Sequence, residues 1–245
     1  MWKYFIIILK LGYYLIYKTP GIFIRYFRRN KYSKESRYNY CRKILLKISK
    51  AFNVKYHIEG IENIPSNQTF VLYPNHQSNY DPLALISIID QPIHFIGKIE
   101  VKKMPYIGRF FTIINSIYLD RDDIRSSIKT MRECQKRIEE QKDNFVIFPE
   151  GTRTRKEDHR MNEFKAGAFK PATASSSLVI PVVINGTYEV LDKNVRRKQY
   201  DVHIKFLKPI TPEEYKDLST IDLSNHVQKI IANELENLLK NDVKE

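Results

Sequence analysis

Residues 69–89 read TFVLYPNHQSNYDPLALISII. Thr69–Tyr73 is rich in β-branched and aromatic residues and is expected to form a strand. Pro82–Ile89 has the length and composition of a helix. Asp81 stands where an N-cap belongs, and Pro82 takes the first helical position. Between strand and helix lies a short loop carrying His76. A strand that runs through a short loop into a helix is the repeating step of an α/β domain.

The same step recurs along the chain. Further strands are expected at Val54–Ile58, Ile93–Ile96, Ile117–Leu119, Asn144–Phe148, Leu178–Ile184 and Val202–Leu207. Helices are expected at Ile124–Gln141, Lys165–Ala174 and Asp222–Leu239. The alternation predicts an α/β fold with a central, mostly parallel sheet of about seven strands flanked by helices. In such sheets ligands gather where strands end and loops begin.

Charge is distributed unevenly. The chain has 245 residues and a net charge of +13, yet residues 1–50 hold 13 Lys/Arg and a single acid, Glu35. The remainder is close to neutral. We therefore divide the chain into a basic helical arm, 1–52, and an α/β domain, 53–245. Such asymmetry points to an anionic surface as partner.

The arm opens MWKYFIIILKLGYYLIY, a hydrophobic stretch interrupted by Lys3 and Lys10. As a helix it would span about 25 Å, short of the roughly 30 Å hydrocarbon core. Thr19 and Pro20 read as a helix break and restart, giving two helices that lie in or dip into one leaflet. A single spanning helix and a soluble arm are the alternatives. Residues 36–52 read as a further basic amphipathic helix, with Tyr40, Ile44, Leu45, Ile48 and Phe52 on one stripe. The aromatics sit among Ile and Leu, whereas nucleic-acid stacking platforms lie on polar surfaces. The reading is a bilayer partner, no nucleic acid, and a membrane-associated protein on the cytoplasmic face. Cys41 and Cys134 lack ligand or disulfide spacing and fit small buried hydrophobes in a reducing compartment.

Three short blocks carry chemistry. In the first, an imidazole at His76 can accept a proton near neutral pH, and a carboxylate at Asp81 can orient it. Taken alone, the spacing equally accommodates an N-cap aspartate beside an unrelated loop histidine. In the second, Phe148-Pro149-Glu150-Gly151-Thr152-Arg153 follows a strand. Gly151 permits a sharp turn, Arg153 can grip a phosphate with paired hydrogen bonds, and Glu150 can order that arginine or bind hydroxyls. In the third, Asn115-Ser116-Ile117-Tyr118-Leu119-Asp120-Arg121 places a second anion ligand, Arg121, after a strand; alone, it reads equally as a surface arginine paired with nearby aspartates. The chain has no G-x-S-x-G, no P-loop, no G-x-G-x-x-G and no metal-ligand spacing.

In order and context these blocks resemble the glycerolipid acyltransferases, specifically the 1-acylglycerol-3-phosphate acyltransferases. Asn75, His76 and Asp81 match N-H-x-x-x-x-D, and Phe148–Thr154 matches F-P-E-G-T-R-[ST]. Asn115–Arg121 resembles G-x-I-F-I-D-R with Asn115 in place of the glycine. Ile180–Ile184 is similar to the family's V-P-V-x-I strand, and Phe164–Ala168 to F-K-x-G-A. The resemblance implies that His76, oriented by Asp81, takes the proton from the sn-2 hydroxyl of lysophosphatidic acid. It implies that Arg121, Arg153 and Lys98 hold the phosphate, while Glu150 and Gly151 position the acceptor. The acyl donor would be acyl-CoA or acyl-carrier protein, with no further cofactor and no metal, and the product phosphatidic acid. Relatives that acylate other lysolipids, and a non-catalytic membrane-binding protein, are the competing expectations.

Overall fold

The computed structural model describes residues 2–120, 122–154, 161–192 and 194–242. In chain order the elements are α1 (Trp2–Phe27), α2 (Lys34–Ala51), β1 (Val54–Glu59), β2 (Phe70–Pro74), α3 (Asp81–Ile88), β3 (Ile93–Lys98), α4 (Ile107–Ile113) and β4 (Ile117–Leu119). There follow α5 (Ile124–Glu139), β5 (Asn144–Val146), α6 (Lys170–Ala174), β6 (Leu178–Asn185), α7 (Thr187–Val190), β7 (Tyr200–Phe206), α8 (Pro212–Tyr215) and α9 (Thr220–Asp242). One sheet contains all seven strands in the order β1-β7-β6-β2-β5-β3-β4. Among the strands of the described residues, only β6 and β7 pair antiparallel. The fold is the expected α/β sheet flanked by helices.

Alternation within β2 shows how the sheet is covered. Phe70 and Leu72 face a core completed by α2, α3 and α4, with Ile22 of α1 inserted. Val71 and Tyr73 face the opposite core, built with α5, α6 and α9. Every residue of β2 and β6 is buried, as strands covered on both faces require. The stripe α2 buries is Tyr38, Cys41, Ile44, Leu45 and Ser49, and Tyr40, Ile48 and Phe52 of the expected stripe pack partly buried against the same core. Both cysteines are buried, and burial pushes the Cys41 thiol up to about 12.

Several local expectations are corrected. No break occurs at Thr19 and Pro20: α1 is continuous through Pro20. The Thr19 hydroxyl donates back to the Leu15 carbonyl at 2.7 Å instead of capping a new helix, and it meets the Tyr106 hydroxyl at 3.0 Å. An interior proline costs about 3 kcal/mol, which burial of Ile22 and the contact with Tyr106 offset. The strand expected to reach Phe148 ends at Val146, and the helix expected from Lys165 begins as a 3-10 turn, Ala166–Phe169. Helix α4 was not foreseen: its seven residues, with Gly108, Arg109 and Thr112 among the apolar ones, are too short a run to show periodicity. Among the described residues, no helix is long and apolar enough to cross a membrane.

The edge of the sheet where β3 and β5 begin is tied by Asp143. Its carboxylate lies 2.9 Å from Lys34, 2.6 Å from Arg137 and 2.9 Å from His94, whose Nδ1 lies 2.6 Å from the Ile114 carbonyl. Burial alone would raise the Asp143 pKa, but His94, Arg137 and Lys34 outweigh it and hold the carboxyl well below its usual range. Burial lowers the pKa of His94 against the pull of Asp143. Both depressed values stabilise the fold at neutral pH. The His94 share is complete above its ordinary 6.5 and the Asp143 share above its ordinary 3.8, and each is lost as pH falls below that value. Denaturant unfolding at falling pH should show this two-stage loss. Asp143→Asn should lower neutral-pH stability by roughly 3 kcal/mol and flatten the more acidic stage; unchanged stability would contradict the assignment.

Candidate active site

The parallel strands β2, β5, β3 and β4 all end on one edge of the sheet. From β2 the chain crosses to β3 on one side, and from β5 to β6 on the other. The loops leaving β2 and β5 therefore diverge, which opens the crevice where α/β sheets bind ligands. His76 leaves β2, and Glu150 to Arg153 leave β5.

The loop holding His76 is fixed by backbone logic. Asn75 continues the β2–β6 pairing beyond the last strand residue. Its side chain donates to the Ile184 carbonyl at 2.9 Å and accepts the Ile184 amide at 2.8 Å. Immediately after it, the His76 Nδ1 lies 2.7 Å from Asp81 Oδ2. Asp81 is fully buried and accepts from the Gln77 amide at 2.7 Å, the Ser78 amide at 2.9 Å and the Thr187 hydroxyl. Asp81 begins α3 rather than capping it, and Tyr80 is the N-cap. The carboxylate reaches back to the loop amides, which is why it meets His76 five residues away. Tyr80 is buttressed from α2, its hydroxyl 2.8 Å from that of Ser49.

With Nδ1 donating to a carboxylate, Nε2 carries the lone pair of the neutral imidazole. The ring stacks on Phe148 at 4.1 Å between centroids, and the side chain keeps 14% of its exposure. The arrangement is a base whose tautomer and plane are both set, with its free nitrogen reachable from outside.

Glu150 is placed differently from a group awaiting a ligand. It is 2% exposed, and both oxygens are engaged. Oε1 accepts the His76 amide at 2.6 Å. Oε2 accepts the Thr154 hydroxyl at 2.8 Å, the Asn162 amide at 2.8 Å and the Asn162 side chain at 3.0 Å. The Thr154 amide in turn donates to the His76 carbonyl at 2.8 Å. The two loops are thus stitched through the backbone of His76. Gly151 turns between them with a φ of +69°, and a Cβ there would lie 3.2 Å from the Lys165 side chain.

Arg153 is half-buried and has no hydrogen-bond or ion-pair partner among the described residues. Lys98 ends β3 and is paired with Glu100 at 2.6 Å. Arg121 lies outside the described residues. Among those described, no group of three or more His, Cys, Asp or Glu is placed to hold a metal. The sequence did not single out Thr187, Asn162 or the Lys165 side chain. Thr187 follows Gly186 just after the Ile180–Ile184 segment, and Lys165 lies within the F-K-x-G-A segment, so each had a positional signal. Asn162 had none.

Comparison with known proteins agrees with this fold. The family model described as Acyltransferase matches residues 55–185. The probable 1-acyl-sn-glycerol-3-phosphate acyltransferase of Mycoplasma genitalium is 29% identical, covering 80% of this chain and 79% of its own length. The 1-acyl-sn-glycerol-3-phosphate acyltransferase of Escherichia coli K12 is 25% identical, covering 79% and 78%. The crystal structure of the 1-acyl-sn-glycerophosphate (LPA) acyltransferase PlsC from Thermotoga maritima superposes with a TM-score of 0.72 at 26% identity, covering 96% of this chain and 95% of that one. That family match spans more than half of the chain, and the chain belongs to the acyltransferase family.

Proposed function

We propose that this protein is a 1-acyl-sn-glycerol-3-phosphate acyltransferase, which transfers a fatty acyl group from acyl-CoA or acyl-carrier protein to the sn-2 hydroxyl of lysophosphatidic acid. The observation that carries the reading is the His76–Asp81 pair at 2.7 Å, with Nε2 open beside the Arg153 loop. Nε2 takes the hydroxyl proton as the oxygen attacks the thioester carbonyl. A C–O bond forms and the C–S bond breaks. The imidazolium returns its proton to the departing thiolate, so base and product thiol balance without a covalent acyl-enzyme. Asp81 holds the ring and stabilises its charged form.

We assign Arg153 to the acceptor phosphate, because among the described residues it is the unpaired guanidinium on the loop stitched to His76. Lys165 beside Gly151, Lys98 and Arg121 complete our assignment of the anion grip. Glu150 is assigned to positioning, since its oxygens are spent on the two loops. We further assign residues 53–245 to catalysis and the basic arm to a membrane, where acceptor and product reside. The cytoplasmic leaflet is the proposed side.

Purified protein given either donor and lysophosphatidic acid should make phosphatidic acid, and a panel of other lysolipids should react more slowly. His76→Ala should lower turnover about 10³-fold, and undiminished activity in that variant would end the mechanism. Arg153→Ala should raise KM for the acceptor roughly tenfold or more while changing kcat less, with Arg153→Lys restoring only part. An unchanged KM would remove Arg153 from the phosphate site. Thr187→Val leaves a buried carboxylate oxygen without its side-chain donor, and should cost about 1–3 kcal/mol of stability and lower kcat. Thr187→Ser should retain both.

A further inference from the structure

One surface is used by none of the chemistry above. Along α1 the exposed side chains Tyr13, Ile16, Tyr17, Phe23, Ile24 and Phe27 fall at helical spacing, and Ile16, Tyr17 and Phe27 keep about 70% of their exposure. The opposite side of the helix buries Ile22. Beside the stripe lies the 3-10 turn Ile99–Lys103 that follows β3, adding exposed Ile99 and Met104 and the solvent-facing cations Lys102 and Lys103. Phe23 and Phe27 of the stripe, with Lys102, Lys103 and Met104, border an open cleft of about 310 Å³ between α1 and this turn. Arg109 lies at its floor, 4.7 Å over the Phe23 ring.

The topology gives this surface a direction. The turn leaves β3 at its carboxyl end, on the edge of the sheet where His76 leaves β2. Helix α4 runs back towards the start of β4. The contacts of α1 with α4 follow the same order along both helices: Thr19 with Tyr106, Phe23 with Arg109, and Arg29 with the Thr112 carbonyl. The two helices are therefore roughly parallel, and the N-terminal part of α1 lies towards the edge that carries the site.

We propose that the Ile99–Lys103 turn, with Met104, is a second membrane contact. It and the α1 stripe form one bilayer-facing surface, and the phosphate of an anionic lipid headgroup sits in the cleft against Lys102, Lys103 and Arg109. The proposal rests on the membrane reading of the arm and adds to it. Exposed aromatic and aliphatic side chains beside lysines that have no ion-pair partner among the described residues fit a headgroup zone, where ring edges and cations are both favourable. An acidic protein would be matched by the cations but not by the apolar stripe.

Sedimentation of the full chain with vesicles of phosphatidylcholine, with and without phosphatidylglycerol, tests this. Lys102→Glu/Lys103→Glu should weaken binding to the anionic vesicles by at least about tenfold. It should leave binding to neutral vesicles unchanged, along with turnover of a monomeric short-chain acceptor with acyl-CoA. Ile16→Glu/Tyr17→Glu should weaken binding to both vesicle types. Parent-like binding of the lysine variant to anionic vesicles would overturn the second contact and leave the arm reading standing. Parent-like binding of the Ile16/Tyr17 variant would overturn the arm reading itself. A lysine variant altered only in KM for acyl-carrier protein would assign the surface to an acidic protein and refute the proposal.

Discussion

The buried carboxylate of Asp81 is the constraint on which the rest of the site depends. An ionised carboxylate without exposure is costly unless its lone pairs are filled. Here four donors fill them: the His76 ring, the Gln77 and Ser78 amides, and the Thr187 hydroxyl. Those donors come from the loop after β2 and from the short helix after β6. Satisfying one buried charge therefore fixes the loop path, the start of α3 and the junction beyond Gly186. The base inherits its orientation from a requirement of folding.

Glu150 repeats the device one strand away. Its carboxylate is also buried and also filled by donors from separate segments, namely His76, Thr154 and Asn162. Two internal carboxylates thus organise two adjacent loops, each with a contact to His76. Asp81 holds the ring and Glu150 the main chain. Covering by helices on both faces of the sheet leaves its carboxyl edge as the place where these loops can meet a substrate.

Much of this was legible in the sequence because the signals were local. β2, its loop and α3 lie within about twenty residues, and turn chemistry and apolar runs mark each boundary. The meeting of His76 with Asp81 could be anticipated because a loop entering a helix can close a five-residue gap. Thr187 could not be placed on Asp81, since it lies 106 residues away and any hydroxyl would serve. Glu150 looked like a ligand for substrate because sequence does not reveal burial. Pro20 read as a break because local preference was all that could be weighed there. The contact between Thr19 and Tyr106, which favours a continuous helix, joins segments 87 residues apart. Arg121, recognisable from its block, lies outside the described residues.

The stitching of His76 to the Glu150 loop has a consequence for selectivity among isomers. The His76 amide and carbonyl are both taken by the segment that carries Arg153. The backbone segments that carry base and guanidinium therefore shift as one body, and once Arg153 holds a phosphate the span between the two groups varies little. In a glycerol phosphate the distance from hydroxyl oxygen to phosphorus depends on which carbon bears the free hydroxyl. On the proposed assignment, a fixed span acts as a gauge of that position, so the regioisomer with its acyl chain on the middle carbon would offer its oxygen at the wrong reach.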